Sequence, residues 1–134
     1  MKHSLCALVL LVLCLNGCKV MVVAPNHVAV VSGDMTFMCL PGETCEIDVS
    51  DYDFDMTLHA VAKPGYRFLY WSGEEGHLCP GFFSTKCHIT TRGIDPANEN
   101  FRSILLSDQV FYLEPVYMLD ESAPSINWDG IEGG

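Results

Sequence analysis

Along much of the chain apolar and polar residues alternate with a period of two, and this rhythm predicts strands rather than helices. Tyr52, Phe54, Met56, Leu58, Ala60 and Ala62 are apolar at every second position, with Asp51, Asp53 and Asp55 between them. On an extended backbone that pattern puts the apolar set on one face and the carboxylates on the other, solvated one. Lys63-Pro64-Gly65 then supplies corner chemistry, and Tyr66 to Trp71 reads as an aromatic-rich strand able to furnish much of a core.

Upstream, His27 to Ser32 is β-branched and strand-like, with His27 at its exposed end. Ser32-Gly33-Asp34 forms a turn, and Met35 to Cys39 is the expected return strand of a hairpin. Glu46 to Val49 and Lys86 to Thr90 are brief strands, and Gln109 to Tyr117 is a final one. Pro115 cannot donate to a ladder, so it marks an edge or a break. Asp95-Pro96 pairs an N-cap residue with a favoured first helical position, which predicts a turn or two of helix within a surface insertion. The fold class expected is mainly β, with a minor helical part.

The N-terminus has another character. Lys2 and His3 precede an almost unbroken apolar run from Leu5 to Leu15. The run is too short for a hydrocarbon core of about 30 Å and has the size of a signal-peptide core, so residues 1–17 are set aside from the fold. Leu15-Asn16-Gly17-Cys18 resembles a bacterial lipobox, in which the cysteine is lipidated after cleavage, although Asn16 departs from the usual small residue. The resemblance implies acyl chains on Cys18, a membrane as partner and, since Lys19 rather than Asp follows, the outer membrane as address. Residues 18–26 are then expected to be a short tether, the β domain to span 27–119, and the acidic, aperiodic stretch 120–134, which includes Trp128, to be disordered.

Charge narrows the partners. The chain carries 7 Lys+Arg against 17 Asp+Glu, a net charge of −10, and nucleic-acid phosphates repel a polyanion of this density. Nucleic-acid binding is therefore excluded.

Of 7 cysteines, Cys6 and Cys14 leave with the signal and Cys18 takes lipid. Cys39, Cys45, Cys79 and Cys87 remain, and an exported domain of this size uses such a set for two disulfides in one of three connectivities. The spacings favour the local pairs Cys39–Cys45 and Cys79–Cys87, each closing a loop that contains Pro and Gly. The rival is a metal: His77 and His88 flank Cys79 and Cys87 and complete a ligand set that zinc accepts, though in no zinc-finger spacing. Asp48, Asp51, Asp53 and Asp55 begin like a calcium loop, but Met56 stands where glycine is needed and Ala62 where the bidentate Glu belongs. No metal or other cofactor is expected.

The sequence contains no Gly-x-Ser-x-Gly elbow, phosphate loop or His-Glu-x-x-His. His59 with Asp53, Asp55 and Ser72 is the one imaginable catalytic grouping, and a strand histidine is seldom such a group. We expect no enzyme. Phe82 and Phe83, paired at the tip of the second cysteine loop, are the candidate contact for a protein or glycan at the envelope. A metal-handling protein or a small periplasmic accessory or inhibitor protein is the alternative.

The stretch Leu58 to Ala62, Pro64-Gly65, Tyr66 with Phe68, and Trp71-Ser72-Gly73, bracketed by the two cysteine pairs, resembles bacterial repeat domains related to the internalin B-repeat. The likeness runs over about residues 27–119 in a single copy, with 91–104 as an insertion. It implies a small β-grasp-type sheet and a surface or secreted module without catalytic residues.

Overall fold

One strand in this protein is buried along its whole length. Val28, Ala29, Val30, Val31 and Ser32 form a continuous small and β-branched run with every side chain buried, as expected for a strand covered on both faces. Around it the computed structural model describes residues 17–122. The signal-type segment through Asn16 and the tail beyond Ser122, with Trp128, lie outside the described residues.

The elements are β1 (Cys18–Val23), β2 (Val28–Ser32), β3 (Met38–Cys39), β4 (Thr44–Val49), β5 (Asp55–Ala62), β6 (Tyr66–Trp71), β7 (Lys86–Thr90), α1 (Glu99–Leu105), β8 (Val110–Leu113) and β9 (Pro115–Leu119). The protein is mainly β, and among the described residues its strands are distributed over three small sheets ordered β4-β1-β8, β3-β2-β5-β7 and β6-β9. All neighbours are antiparallel except β1 and β8, which run parallel. The core gathers Val20, Val22, Val28, Val30, Leu58, Trp71, Leu105 and Leu113 between these sheets.

Residues 18–23 correct the expectation of a tether. Cys18, Val20 and Val22 are buried on alternate positions while Lys19, Met21 and Val23 are half-exposed, so the segment carries the same period of two as the other strands. It is the central strand of its sheet, with Val22 opposite both Cys45 and Leu113. Gly17 is equally committed: a Cβ there would lie 2.7 Å from the Val49 carbonyl oxygen, closer than packed atoms approach.

Other boundaries shift for local reasons. The alternation from Tyr52 becomes strand only at Asp55, because Asp51 Oδ1 accepts the Asp53 amide and holds a turn. The Pro64-Gly65 corner, with Gly65 at φ +87, carries the chain from the sheet of β5 to that of β6. The helix starts beyond Asp95-Pro96. Asp95 closes a turn by accepting the Ala97 and Asn98 amides, and Asn98 is the N-cap, its Oδ1 accepting from Phe101 N. The final strand divides at Glu114. β8 pairs with β1, while β9 starts at the buried Pro115 and pairs with β6. The tail's first residue is ordered, since the Asp120 amide donates to the Gly65 carbonyl and Arg67 pairs with its carboxylate.

Candidate functional site

The disulfides are Cys39–Cys45 and Cys79–Cys87, both local pairs. Short in sequence, they are wide in architecture. The first joins β3 to β4, and so one sheet to another; the second joins the loop after β6 to β7. Cys39 and Cys87 are wholly buried, which makes the bridges part of the core.

The second bridge positions the aromatic pair. Between Cys79 and Cys87 the backbone folds back on Trp71: Trp71 N donates to the Phe82 carbonyl at 2.9 Å, and Gly81 N donates to the Trp71 carbonyl at 2.8 Å. Trp71 itself is fully buried, with Nε1 donating to the Ser84 carbonyl at 2.9 Å. The loop is thus fixed by a covalent bridge, a ring in the core and a short ladder. From it Phe82 and Phe83 project with 55% and 80% of their surface exposed. Tyr70 meets Phe83 edge-on at 6.2 Å, so three aromatics line one exposed tip.

The histidine and carboxylate candidates disperse. His77 stacks on Tyr112, has Nε2 4.0 Å from Glu114, and leaves Nδ1 buried without a partner. His88 pairs with Asp55, which Arg92 also approaches, and Arg92 Nε lies 2.9 Å from Asp53. The His88 hydrogen bond, the main cause, and the nearby Arg92 guanidinium hold the Asp55 carboxyl below its ordinary range. With Cys79 and Cys87 spent on each other, the zinc set weighed with His77 and His88 has lost its thiolates. Among the described residues Cys39, Glu43 and Cys45 are the metal-type side chains that lie together, and here too the sulfurs are bridged.

Asp48 stands opposite Lys19, whose Nζ reaches Glu46 at 2.9 Å. The aspartates from 48 to 55 therefore serve a turn and several surface ion pairs. His59 lies beside Gly33, and Ser72 is buried at the end of β6 with its amide on the Glu114 carbonyl. No hydrogen bond among the described residues joins them. His27, expected at an exposed strand end, instead stacks on Tyr66 at 4.0 Å and takes a positive φ of 80°.

Two features escaped the sequence. Asp34 accepts hydrogen bonds from the Ser32 and Thr36 hydroxyls and the Thr36 amide, which lower its carboxyl to about 2. The Ser-x-Asp-x-Thr spacing was the available signal. The other is an apolar cavity of about 210 Å³ beneath α1, walled by Cys18, Val20, Val49, Ile89, Phe101 and Phe111 among others. It gathers residues far apart in the chain, so no local pattern announces it. Cys18 is only 6% exposed, its Sγ lies 3.3 Å from the Val49 carbonyl oxygen, and burial pushes its thiol up.

No family model, no curated protein and no solved structure matches this chain. Among the described residues no helix is long and apolar enough to cross a membrane.

Proposed function

We propose that this protein is an exported, membrane-anchored β module, not an enzyme, whose Phe82–Phe83 loop is an interaction surface at the cell envelope. The observation that carries the reading is the immobilised aromatic tip. Exposed side chains on a flexible loop lose rotamer and backbone freedom when they bind, whereas a loop already fixed by a bridge and a ladder has little left to lose. Aromatic residues are also the ones that dominate interface energetics.

Export is supported by the two disulfides, which persist in oxidising compartments, and by the signal-type segment with its lipobox-like Leu15-Asn16-Gly17-Cys18. Acyl chains on Cys18 hold the mature domain to the bilayer, and because β1 starts there, the domain sits close to the membrane. The partner is a protein or a glycan, as the Trp-Ser-Gly resemblance to bacterial surface modules suggests.

Two experiments on the full chain test this. On fractionation, wild type should require detergent for release from membranes and Cys18→Ser should not; a wild-type protein released by buffer alone sinks the anchor. A photo-crosslinking residue at Phe83 should give a discrete adduct with an envelope component that a crosslinker at Glu75 does not. Equal or absent adducts at both positions sink the interaction surface.

A further inference from the structure

We infer that the cavity beneath α1 seats the stem of a lipid carried on Cys18, and that α1 with its flanks is the face turned to the bilayer. This rests on the anchored reading above. The alternation of β1 directs Cys18 inward, on the same side as Val20 and Val22, and both Cys18 and Val20 line the cavity. A group attached to Sγ therefore points into the cavity, not into solvent.

The walls select the chemistry of the occupant. They are aliphatic and aromatic apart from Thr90 and Thr91. Thr91 Oγ1 donates to the Asp51 carbonyl and accepts from the Phe54 amide, and Thr90 Oγ1 donates to the Phe54 carbonyl and accepts from the Arg92 amide. Both hydroxyls are spent within the protein, so the cavity keeps no free polar handle for a sugar, nucleotide or ion. The glyceryl stem next to the sulfur carries ester acceptors but no donor, so it brings no donor that would need a partner there. Exchanging the thiol for a thioether gives up only a weak S–H donor.

Size fixes how much of the lipid enters. An apolar cavity of about 150 Å³ takes a benzene molecule, so 210 Å³ holds a stem of several carbons and not a whole diacylglyceryl group. The remainder must leave past α1. There Ile104 lines the cavity yet is partly exposed, Leu106 is 65% exposed, and Val110 opposite Lys19 is exposed as well. Ile104, which shares the cavity wall with Cys18, and Val110, paired with Lys19, thus put exposed apolar surface near the Cys18 end of β1. The aromatic tip is tied through Phe82 to Trp71, which lies opposite Pro115, two residues past Leu113 at the Val22 end of β1; Leu78, at the base of the same loop, lines the cavity. A domain seated this way presents Phe82 and Phe83 away from the bilayer.

The test uses the full chain, processed in cells and purified from membranes in detergent. Intact mass comes first: a diacylglyceryl increment on a chain that begins at Cys18 is expected, and its absence overturns both the anchor and the seat. With the increment present, hydrogen exchange of the Glu99–Leu105 amides should be at least tenfold slower than in the mature domain of Cys18→Ser. Equal exchange overturns the seat and leaves the anchor standing. Should Cys18→Ser fail to fold, fluorophores at Ile104→Cys and Phe83→Cys of the lipidated protein decide in phosphatidylcholine vesicles that contain a lipid-borne quencher. Quenching at 104 alone is expected; quenching at 83 alone, at both or at neither overturns the proposal.

Discussion

Reduction of the two bridges should remove a large part of this protein's stability. Their partners are 6 and 8 residues apart in sequence, for which the loop-closure relation gives about 2.3 and 2.5 kcal/mol. Together that is roughly 5 kcal/mol, against about 5–15 kcal/mol for a whole domain. Guanidinium unfolding of the mature domain, followed by circular dichroism with and without strong reductant, measures the difference. With a slope of about 3 kcal/mol per molar, the midpoint should fall by about 1.7 M. Each bridge can also be removed alone by Cys39→Ala with Cys45→Ala, or Cys79→Ala with Cys87→Ala. Because Cys39 and Cys87 are fully buried, each double variant also loses packed sulfur and should cost somewhat more than the entropy alone. A midpoint unmoved by reductant would refute the idea that these bridges hold the sheets together.

Further outcomes follow from other contacts. Trp71→Ala empties the centre of the core and strands the Ser84 carbonyl; a loss of about 3–5 kcal/mol in thermal or chemical unfolding is expected, and one below about 1 kcal/mol contradicts the packing described. Phe83→Ser, at an 80% exposed position, should change stability by no more than about 0.5 kcal/mol while abolishing envelope crosslinking from neighbouring positions. Asp34 titrates at about 2 in the fold against about 3.9 unfolded. A depressed carboxyl stabilises fully above the unfolded value, and that contribution is lost as pH falls from about 4 through about 2. Its carboxyl carbon shift in NMR should show the low midpoint, which Thr36→Val should raise; an ordinary midpoint in the native protein disproves the hydrogen-bonded turn.

What the sequence made legible was whatever the chain states locally. The period of two in Leu58, Ala60 and Ala62, the Pro64-Gly65 corner, the aromatic strand ending at Trp71 and the two short cysteine spacings all survive in the structure. Residues 18–23 carried the same alternation, but the lipobox-like Leu15-Asn16-Gly17-Cys18 at their start made them resemble a linker. Only pairing with β4 and β8, information held far downstream, makes them a central strand. The cavity was illegible for the same reason, since its walls come from β1, β4, the loop after β6, the end of β7, α1 and β8. Asp95 and Asn98 both offer cap chemistry, and choosing between them depended on a turn that closes at Asn98.

The parallel pairing of β1 with β8 has a consequence for biogenesis. Lys19 needs Val110, and Val22 needs Leu113, so the first described strand has an open flank until almost the last strand arrives. Contacts this remote in sequence form slowly. The sheet around β1 thus closes late, once β8 is available to it.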